Sequence, residues 1–198
     1  MNLYKFLVRF CRVFCIVFYR VKVVGAENIP DEGNIVVAAN HKSNLDPVFV
    51  ATSMLNRQIS AIAKKELFTV PILGSLLKKI NMIPIDRENP AVSTIKQILK
   101  TVKEGYVLGI FPEGHRYKGD QFGDAEAGLG LFAVKTKSQV IPTSIVSNYR
   151  IFGKTTVYFG EPIDLSENFG KKMTNDEYKK ISQDILEVIK TNYYELKK

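Results

Sequence analysis

The apolar residues of the chain follow two kinds of pattern: short β-branched runs, and longer stretches with helical spacing. The short runs predict strands at residues 20–24, 34–38, 59–63, 82–85, 106–111, 139–145 and 155–159. The helical spacing predicts helices at residues 3–19, 48–55, 71–79, 90–104, 125–137 and 178–189. Strands that alternate with helices of about ten residues indicate an α/β fold, in a single domain with a mixed, mainly parallel sheet flanked by helices.

Composition and charge narrow the class of protein. With 198 residues, 45% of them hydrophobic, the chain can bury a core of its own. The two cysteines, Cys11 and Cys15, are too few and too close for a disulfide framework, which indicates a reducing compartment. The formal net charge is +8, and residues 1–22 contain basic side chains but no acidic one. Much of the basic excess therefore lies at the start of the chain.

The N-terminal segment is predicted to form an amphipathic helix. Its surface is mostly apolar apart from a basic stripe about 80° wide on the helical wheel, made of Lys5, Arg9, Arg12 and Arg20. A helix over residues 3–19 would be about 25 Å long, shorter than the ~30 Å hydrocarbon core of a bilayer. We therefore divide the chain into a membrane-interface helix at 1–22, attracted to anionic lipid, and a globular domain at 23–198. The alternative is a helix packed on the core with its basic stripe facing water.

The loop after the strand at 34–38 carries the first candidate chemistry. It contains His41, one of two histidines in the chain, and Asp46 follows five residues later at the start of the next helix. An imidazole could take a proton from a substrate hydroxyl as that hydroxyl attacks an electrophile, and the carboxylate could fix the tautomer of the imidazole. The alternative is that Asp46 caps the helix, with Pro47 at its first position, and that His41 is a loop residue bonded to backbone.

A second polar loop follows the strand at 106–111. It carries FPEGHR at 111–116, and two further motifs are IPIDR at 83–87 and VIPT at 140–143. Together with NHKSNLDP at 40–47, these four ordered motifs resemble those of the glycerolipid acyltransferase family, specifically the 1-acylglycerol-3-phosphate acyltransferases. The resemblance covers roughly residues 20–165. One departure is that the third motif usually continues Thr-Arg-Ser, where this chain has His115-Arg116-Tyr117.

The resemblance implies an activity. A fatty acyl group would pass from an acyl thioester, either acyl-CoA or acyl-acyl carrier protein, to the sn-2 hydroxyl of 1-acylglycerol-3-phosphate (lysophosphatidic acid). The product would be phosphatidic acid, an intermediate of phospholipid biosynthesis. His41 would be the general base and Asp46 its orienting partner, with no cofactor and no covalent intermediate. Residues 23–198 would form the acyltransferase domain, held at the cytoplasmic face of the membrane as a peripheral or monotopic protein. All four motifs are expected at strand ends, where ligands bind in such sheets.

The phosphate of the acceptor would need cationic partners. Guanidinium groups suit a phosphate, so Arg87 and Arg116 are the leading candidates, and Lys118 and Lys42 are weaker ones. Glu113 would orient Arg116 or a glycerol hydroxyl, and Gly114 would let the backbone approach the ligand closely. Each arginine could instead form an ion pair with a neighbouring carboxylate: Asp86 or Glu88 for Arg87, and Glu113 or Asp120 for Arg116.

Other classes of function fit the sequence less well. His41 and His115 have no nearby cysteine and no paired helical spacing, so no metal site is expected. The basic residues lie on an apolar helix without a nucleic-acid motif, so no nucleic-acid partner is expected. Two alternatives remain open: acyl transfer to another lipid alcohol, such as glycerol 3-phosphate or an acylated amino-acid lipid, and a peripheral protein that binds lipid without turnover. A binding module would have no chemical reason to keep both the His41–Asp46 pair and the FPEG motif.

Overall fold

A computed structural model of the protein describes residues 3–86 and 92–198. The strands in this part of the chain are β1 (Val21–Val24), β2 (Ile35–Ala39), β3 (Ile59–Lys64), β4 (Ile83–Ile85), β5 (Val107–Ile110), β6 (Gln139–Ser147) and β7 (Thr155–Phe159). They form one seven-stranded sheet in the order β1-β7-β6-β2-β5-β3-β4. Strands β6, β2, β5, β3 and β4 run parallel, whereas β7 is antiparallel to β6 and pairs in parallel with β1. The predicted mixed, mainly parallel sheet is confirmed.

Helices cover both faces of the sheet. Those of the described residues are α1 (Leu3–Tyr19), α2 (Asp46–Ser53), α3 (Leu73–Lys79), α4 (Val92–Lys103), α5 (Gly128–Thr136) and α6 (Asn175–Lys197). One core cluster joins α1 and α2 to one face of the sheet, with Phe49 of α2 fully buried in it. A second cluster joins α4, α5 and α6 to the opposite face through residues such as Ile98, Leu129 and Ile185. The layers are those of an α/β domain.

Strand β2 lies between β6 and β5 and is buried on both faces. Its residues alternate between the two clusters, with Ile35 and Val37 on the side of α1 and α2, and Val36 and Ala38 on the opposite side. A strand covered on both faces has no solvent side for a polar residue. This is why the sequence at this position is an uninterrupted apolar run, and why β2 is a rigid support for the loop that follows it.

The strand register brings two of the four motifs to the same edge of the sheet. Ala38 of β2 pairs with Ile110 of β5, so the loops after these strands begin side by side. The VIPT motif, in contrast, lies inside β6, because β6 continues to Ser147 through its pairing with β7. The expectation that all four motifs lie at strand ends is therefore wrong for VIPT.

Helix α5 begins later than the sequence predicts. The prediction began at Ala125, but α5 begins at Gly128. The amide of Ala125 donates to Oε1 of Gln183 at 2.8 Å, and the amide of Glu126 donates to the carbonyl of Pro112 at 2.8 Å. These bonds hold the segment before Gly128 in a non-helical path. The predicted start of the helix at Asn89–Pro90 lies outside the described residues, and α4 is described from Val92.

Helix α1 has two apolar faces. Tyr4 and Cys15 are buried in the core, and the Tyr4 hydroxyl accepts a hydrogen bond from the amide of Ile59 at 3.1 Å. The opposite face carries exposed apolar side chains, which are Leu3, Phe6, Phe10, Val13, Phe14 and Val17. The basic residues lie along the boundary between the two faces, where Arg12 donates to the carbonyl of Thr52 at 3.0 Å. None of the described helices is long and apolar enough to cross a membrane.

Candidate active site

Asn40 fixes the beginning of the His41 loop to the sheet. Strand β2 ends at Ala39, but the buried side chain of Asn40 continues the pairing with β6. Its Nδ2 donates to the carbonyl of Ile145 at 3.0 Å, and its Oδ1 accepts from the amide of Ile145 at 2.7 Å. A side-chain amide has the same donor and acceptor as a peptide group, so it can replace one in the ladder. The loop therefore leaves the sheet from a fixed point.

The imidazole of His41 is held between Asp46 and Phe111. Its Nδ1 lies 3.0 Å from Oδ2 of Asp46, and its ring stacks on Phe111 with centroids 4.1 Å apart and an interplanar angle of 20°. The side chain of His41 is 12% exposed, whereas Asp46 is fully buried. Because an ionised carboxylate can only accept, Nδ1 carries the proton and Nε2 carries the lone pair of the neutral ring. The pair therefore presents Nε2 as a base.

Asp46 accepts hydrogen bonds at both carboxylate oxygens. Oδ2 accepts from the backbone amides of Lys42 at 2.6 Å and Ser43 at 2.7 Å, in addition to His41. Oδ1 accepts from the hydroxyl of Tyr149 at 2.8 Å. The interpretation of Asp46 as a helix cap is wrong, because Asp46 is the first residue of α2 and its carboxylate bonds the preceding loop instead of the helix amides. The alternative that His41 is a backbone-bonded loop residue also fails.

Glu113 ties the His41 loop to the loop that follows β5. Its side chain is 1% exposed; Oε1 accepts from the amide of His41 at 3.1 Å, and Oε2 accepts from the amide of Gly123 at 3.0 Å. The prediction that Glu113 orients Arg116 is therefore wrong, and the buried carboxylate has almost no surface for a substrate hydroxyl. Glycine at position 123 leaves room for the Tyr117 ring, which would lie 2.2 Å from a Cβ atom there.

Arg116 extends from the same loop toward the His41 loop. Its guanidinium is exposed and Nη1 contacts Oδ1 of Asn44. The alternative ion pair with Asp120 does not form; Asp120 binds Lys197 instead. Lys118 is exposed nearby in sequence. Arg87, the other predicted phosphate ligand, lies outside the described residues.

Lys42 packs against an aromatic cluster beside the site. Its Nζ lies 3.7 Å from the centroid of Phe122 and contacts the carbonyl of Gln121. Burial lowers the pKa of Lys42, and the negative charge of Glu113 opposes this change. Although Lys42 directly follows His41, its ammonium group lies against Phe122. Phe122 and Tyr194 help to line an open depression there.

Gly114 shapes the turn after Glu113. Its φ is +66°, a left-handed conformation that glycine adopts without strain, and its amide donates to the carbonyl of Phe111 at 3.1 Å. Close approach of a ligand to Gly114 stays a prediction. Within residues 3–86 and 92–198, no group of three or more His, Cys, Asp or Glu side chains is arranged to hold a metal ion. His115, which follows Gly114, is exposed.

Two residues of the site were not predicted from the sequence. Asn40 was part of the first motif without an assigned role, although an asparagine directly after a buried strand is a signal for side-chain bonding to a backbone edge. Tyr149 lies 103 residues beyond Asp46, in the connection between β6 and β7. No local pattern marks it, and only the fold brings it to the carboxylate.

Comparisons with known proteins identify the family of the chain. A family profile described as Acyltransferase matches residues 20–146. The 1-acyl-sn-glycerol-3-phosphate acyltransferase of Bacillus subtilis (strain 168) is 36% identical over 166 residues, which cover 81% of this chain and 82% of that protein. A protein of the same name from Streptococcus pneumoniae is 34% identical over 158 residues, which cover 76% of this chain and 57% of that protein. The crystal structure of the 1-acyl-sn-glycerophosphate (LPA) acyltransferase from Thermotoga maritima has a TM-score of 0.75 at 26% identity, covering 98% of this chain and 81% of that one. This chain belongs to the acyltransferase family.

Proposed function

We propose that this protein transfers a fatty acyl group from a thioester to the sn-2 hydroxyl of 1-acylglycerol-3-phosphate, and so makes phosphatidic acid for phospholipid biosynthesis. The observation that carries the proposal is the His41–Asp46 pair, in which a buried carboxylate holds Nδ1 and leaves Nε2 as the base. The names of the similar proteins from Bacillus subtilis and Streptococcus pneumoniae support the choice of acceptor.

The reaction needs one proton to move twice. Nε2 of His41 takes the proton of the acceptor hydroxyl while the hydroxyl oxygen attacks the thioester carbonyl carbon. The new C–O bond forms, the C–S bond breaks, and the departing sulfur takes the proton back from the imidazolium. Asp46 stabilises the imidazolium through Nδ1, and such general base catalysis contributes about 10²–10⁴-fold. The stacked ring of Phe111 keeps the imidazole plane fixed during both transfers.

The headgroup of the acceptor would meet cationic side chains next to this base. Arg116 is exposed and contacts Asn44, which belongs to the His41 loop, so a phosphate bound by Arg116 would lie near the imidazole. A guanidinium group can bind two phosphate oxygens at once. Arg87 would join it by sequence, and Lys42 and Lys118 are the weaker candidates.

The surface of α1 favours a peripheral position on the membrane, which we place at the cytoplasmic face. The exposed apolar side chains of α1 face away from the core, and its basic residues flank them. Lys and Arg beside an apolar surface are attracted to anionic lipid by about 1 kcal/mol each. An enzyme on the membrane avoids extracting the acyl chains of acceptor and product into water, which would cost about 0.8 kcal/mol per CH₂.

One assay tests the acceptor, the donor and the chemistry together. Purified protein would be given acyl-CoA or acyl-acyl carrier protein as donor, and 1-acylglycerol-3-phosphate, glycerol 3-phosphate or an acylated amino-acid lipid as acceptor. We expect turnover with 1-acylglycerol-3-phosphate. Preference for another alcohol would show that this alcohol is the acceptor. Lipid binding without turnover on any acceptor would indicate a non-catalytic protein.

His41→Ala should remove most of this turnover and leave the fold and lysolipid binding intact. The matched control is His115→Ala, which removes the other histidine from an exposed position and should retain turnover. Circular dichroism and thermal melts would show whether each variant is folded. A folded His41→Ala protein with near-normal rates would refute the mechanism.

A further inference from the structure

Tyr149 reaches the catalytic carboxylate from the connection between β6 and β7. Its φ is +54°, and its amide donates to Oγ of Ser147 at 3.0 Å, which turns the chain directly after β6. Its ring lies parallel to Phe49 of α2, with centroids 6.3 Å apart. Its hydroxyl donates to Oδ1 of Asp46 at 2.8 Å. A bulky residue with left-handed backbone geometry is uncommon, so the fold holds this side chain in place against local strain.

We infer that Tyr149 is a positioning residue for the reaction, because its hydroxyl holds Oδ1 of Asp46 and so directs Oδ2 toward His41. The inference rests on the proposed function. Asp46 is fully buried, and a buried carboxylate is stable only when its oxygens are hydrogen-bonded. Oδ2 has three donors, whereas Oδ1 has Tyr149 as its single donor in the part of the chain that the structure describes. Without the hydroxyl, Oδ1 would be buried and unpaired.

The hydroxyl remains a donor at every pH at which the enzyme could work. Burial raises the pKa of Tyr149 well above its usual range, and the negative charge of Asp46 raises it further. Other ionisable groups lie around Tyr149 and Asp46. They are His41 and Lys42 on the same loop, Glu113 after β5 and Tyr193 on α6. None of these donates to Oδ1, so none can replace Tyr149.

Tyr149→Phe removes the donor and keeps the ring against Phe49. Asp46 then accepts one hydrogen bond fewer, and its negative charge is less stabilised. Protonation of the His41–Asp46 pair therefore becomes easier. We expect the acid limb of the pH profile of kcat/KM to move to higher pH by about one unit. At a pH below the limb the rate should be about tenfold lower than that of the wild type. The high-pH plateau and the KM for the acceptor should change little.

The matched control is Tyr106→Phe. That hydroxyl also forms a side-chain hydrogen bond, at 2.7 Å from Nδ2 of Asn81, but it lies away from Asp46. The control should leave the pH profile unmoved. A loss of rate that is equal at all pH values, together with a lower melting temperature, would mean that Tyr149 only stabilises the fold. An unshifted profile would also overturn the inference.

A second measurement does not depend on turnover. The chain has two histidines, so in a His115→Ala background the imidazole of His41 gives a single set of NMR signals. The midpoint of its titration should rise in Tyr149→Phe, as the acid limb of the kcat/KM profile does. An unchanged midpoint would refute the role of Tyr149. The profile is measured with whichever acceptor the wild type acylates. Absence of wild-type turnover on every acceptor would overturn the proposed function, whereas an active wild type with an unshifted variant would overturn only this inference.

Discussion

Replacing Glu113 by glutamine tests whether this carboxylate holds the His41 loop or binds substrate. Glu113 is 1% exposed, and its two oxygens accept hydrogen bonds from the amides of His41 and Gly123. Glutamine has the same shape, but only one of its two terminal atoms can accept a hydrogen bond. Its oxygen can keep one of the two bonds, and its NH₂ group then faces a second N–H donor. The substitution breaks one anchor without changing the volume of the core.

The size of the effect follows from this count. A hydrogen bond to a charged acceptor contributes about 1.5–3 kcal/mol, and a buried donor left without a partner costs about 1–3 kcal/mol. These two effects describe the same broken contact, so we expect the free energy of unfolding to fall by about 2–3 kcal/mol. If the freed amide is that of His41, the imidazole shifts relative to the substrate. A misplacement of about 1 Å can cost about 10²-fold in rate, so kcat should fall by one to two orders of magnitude.

Two measurements separate the roles of Glu113. Denaturant unfolding reports the stability, and steady-state kinetics with varied acceptor report kcat and KM. Glu167→Gln removes the same charge from an exposed position and is the control, which should behave like the wild type. We expect Glu113→Gln to lose stability and kcat with little change in KM. An unchanged stability and kcat with a raised KM for the acceptor would show that Glu113 binds substrate, and the reasoning from its hydrogen bonds would be refuted.

Two further predictions concern the charged surfaces. Arg116→Ala should raise the KM for a phosphate-bearing acceptor about tenfold or more and leave the KM for the thioester donor nearly unchanged; equal effects on both, or none, would show that Arg116 does not bind the phosphate. Lys5→Glu combined with Arg9→Glu should release the protein from anionic vesicles in a low-salt flotation assay, while activity on a short-chain soluble acceptor survives. Arg12 is left intact because it holds the Thr52 carbonyl, and unchanged flotation would place membrane docking on another surface.

The sequence predicted those parts of the fold that depend on neighbouring residues. The helix at 3–19 and the strand at 155–159 have the predicted bounds, because each is a single unbroken pattern. The His41–Asp46 contact could also be predicted, since five positions within one loop bring the two side chains within reach. Helix α5 shows the limit of such patterns. Its apolar spacing extends back to Ala125, but bonds from distant residues prevent the first turn from forming.

The contacts that hold the His41–Asp46 pair could not be predicted from local patterns. Asn40 bonds Ile145, Asp46 bonds Tyr149 and His41 bonds Glu113 across 105, 103 and 72 positions of sequence. Each is a polar contact between segments far apart in sequence, and no periodicity connects its partners. The sequence therefore indicated that Glu113 belongs to the site but assigned it the wrong partner, Arg116. The actual partners are backbone amides, which carry no residue identity and so leave no trace in the sequence.

The junction between α1 and β1 has a mechanical consequence. Helix α1 ends at Tyr19 and β1 begins at Val21, so Arg20 alone separates them, and Tyr4 and Cys15 fasten the helix to the core. Because no flexible linker separates α1 from β1 and the helix packs into the core, the helix and the sheet form one packed unit. Any surface that binds the outer face of α1 therefore sets the tilt and height of the sheet as one rigid body. If that surface is a bilayer, the His41–Asp46 site would keep one fixed position relative to it, and the search for a membrane-bound substrate would reduce to lateral diffusion in two dimensions.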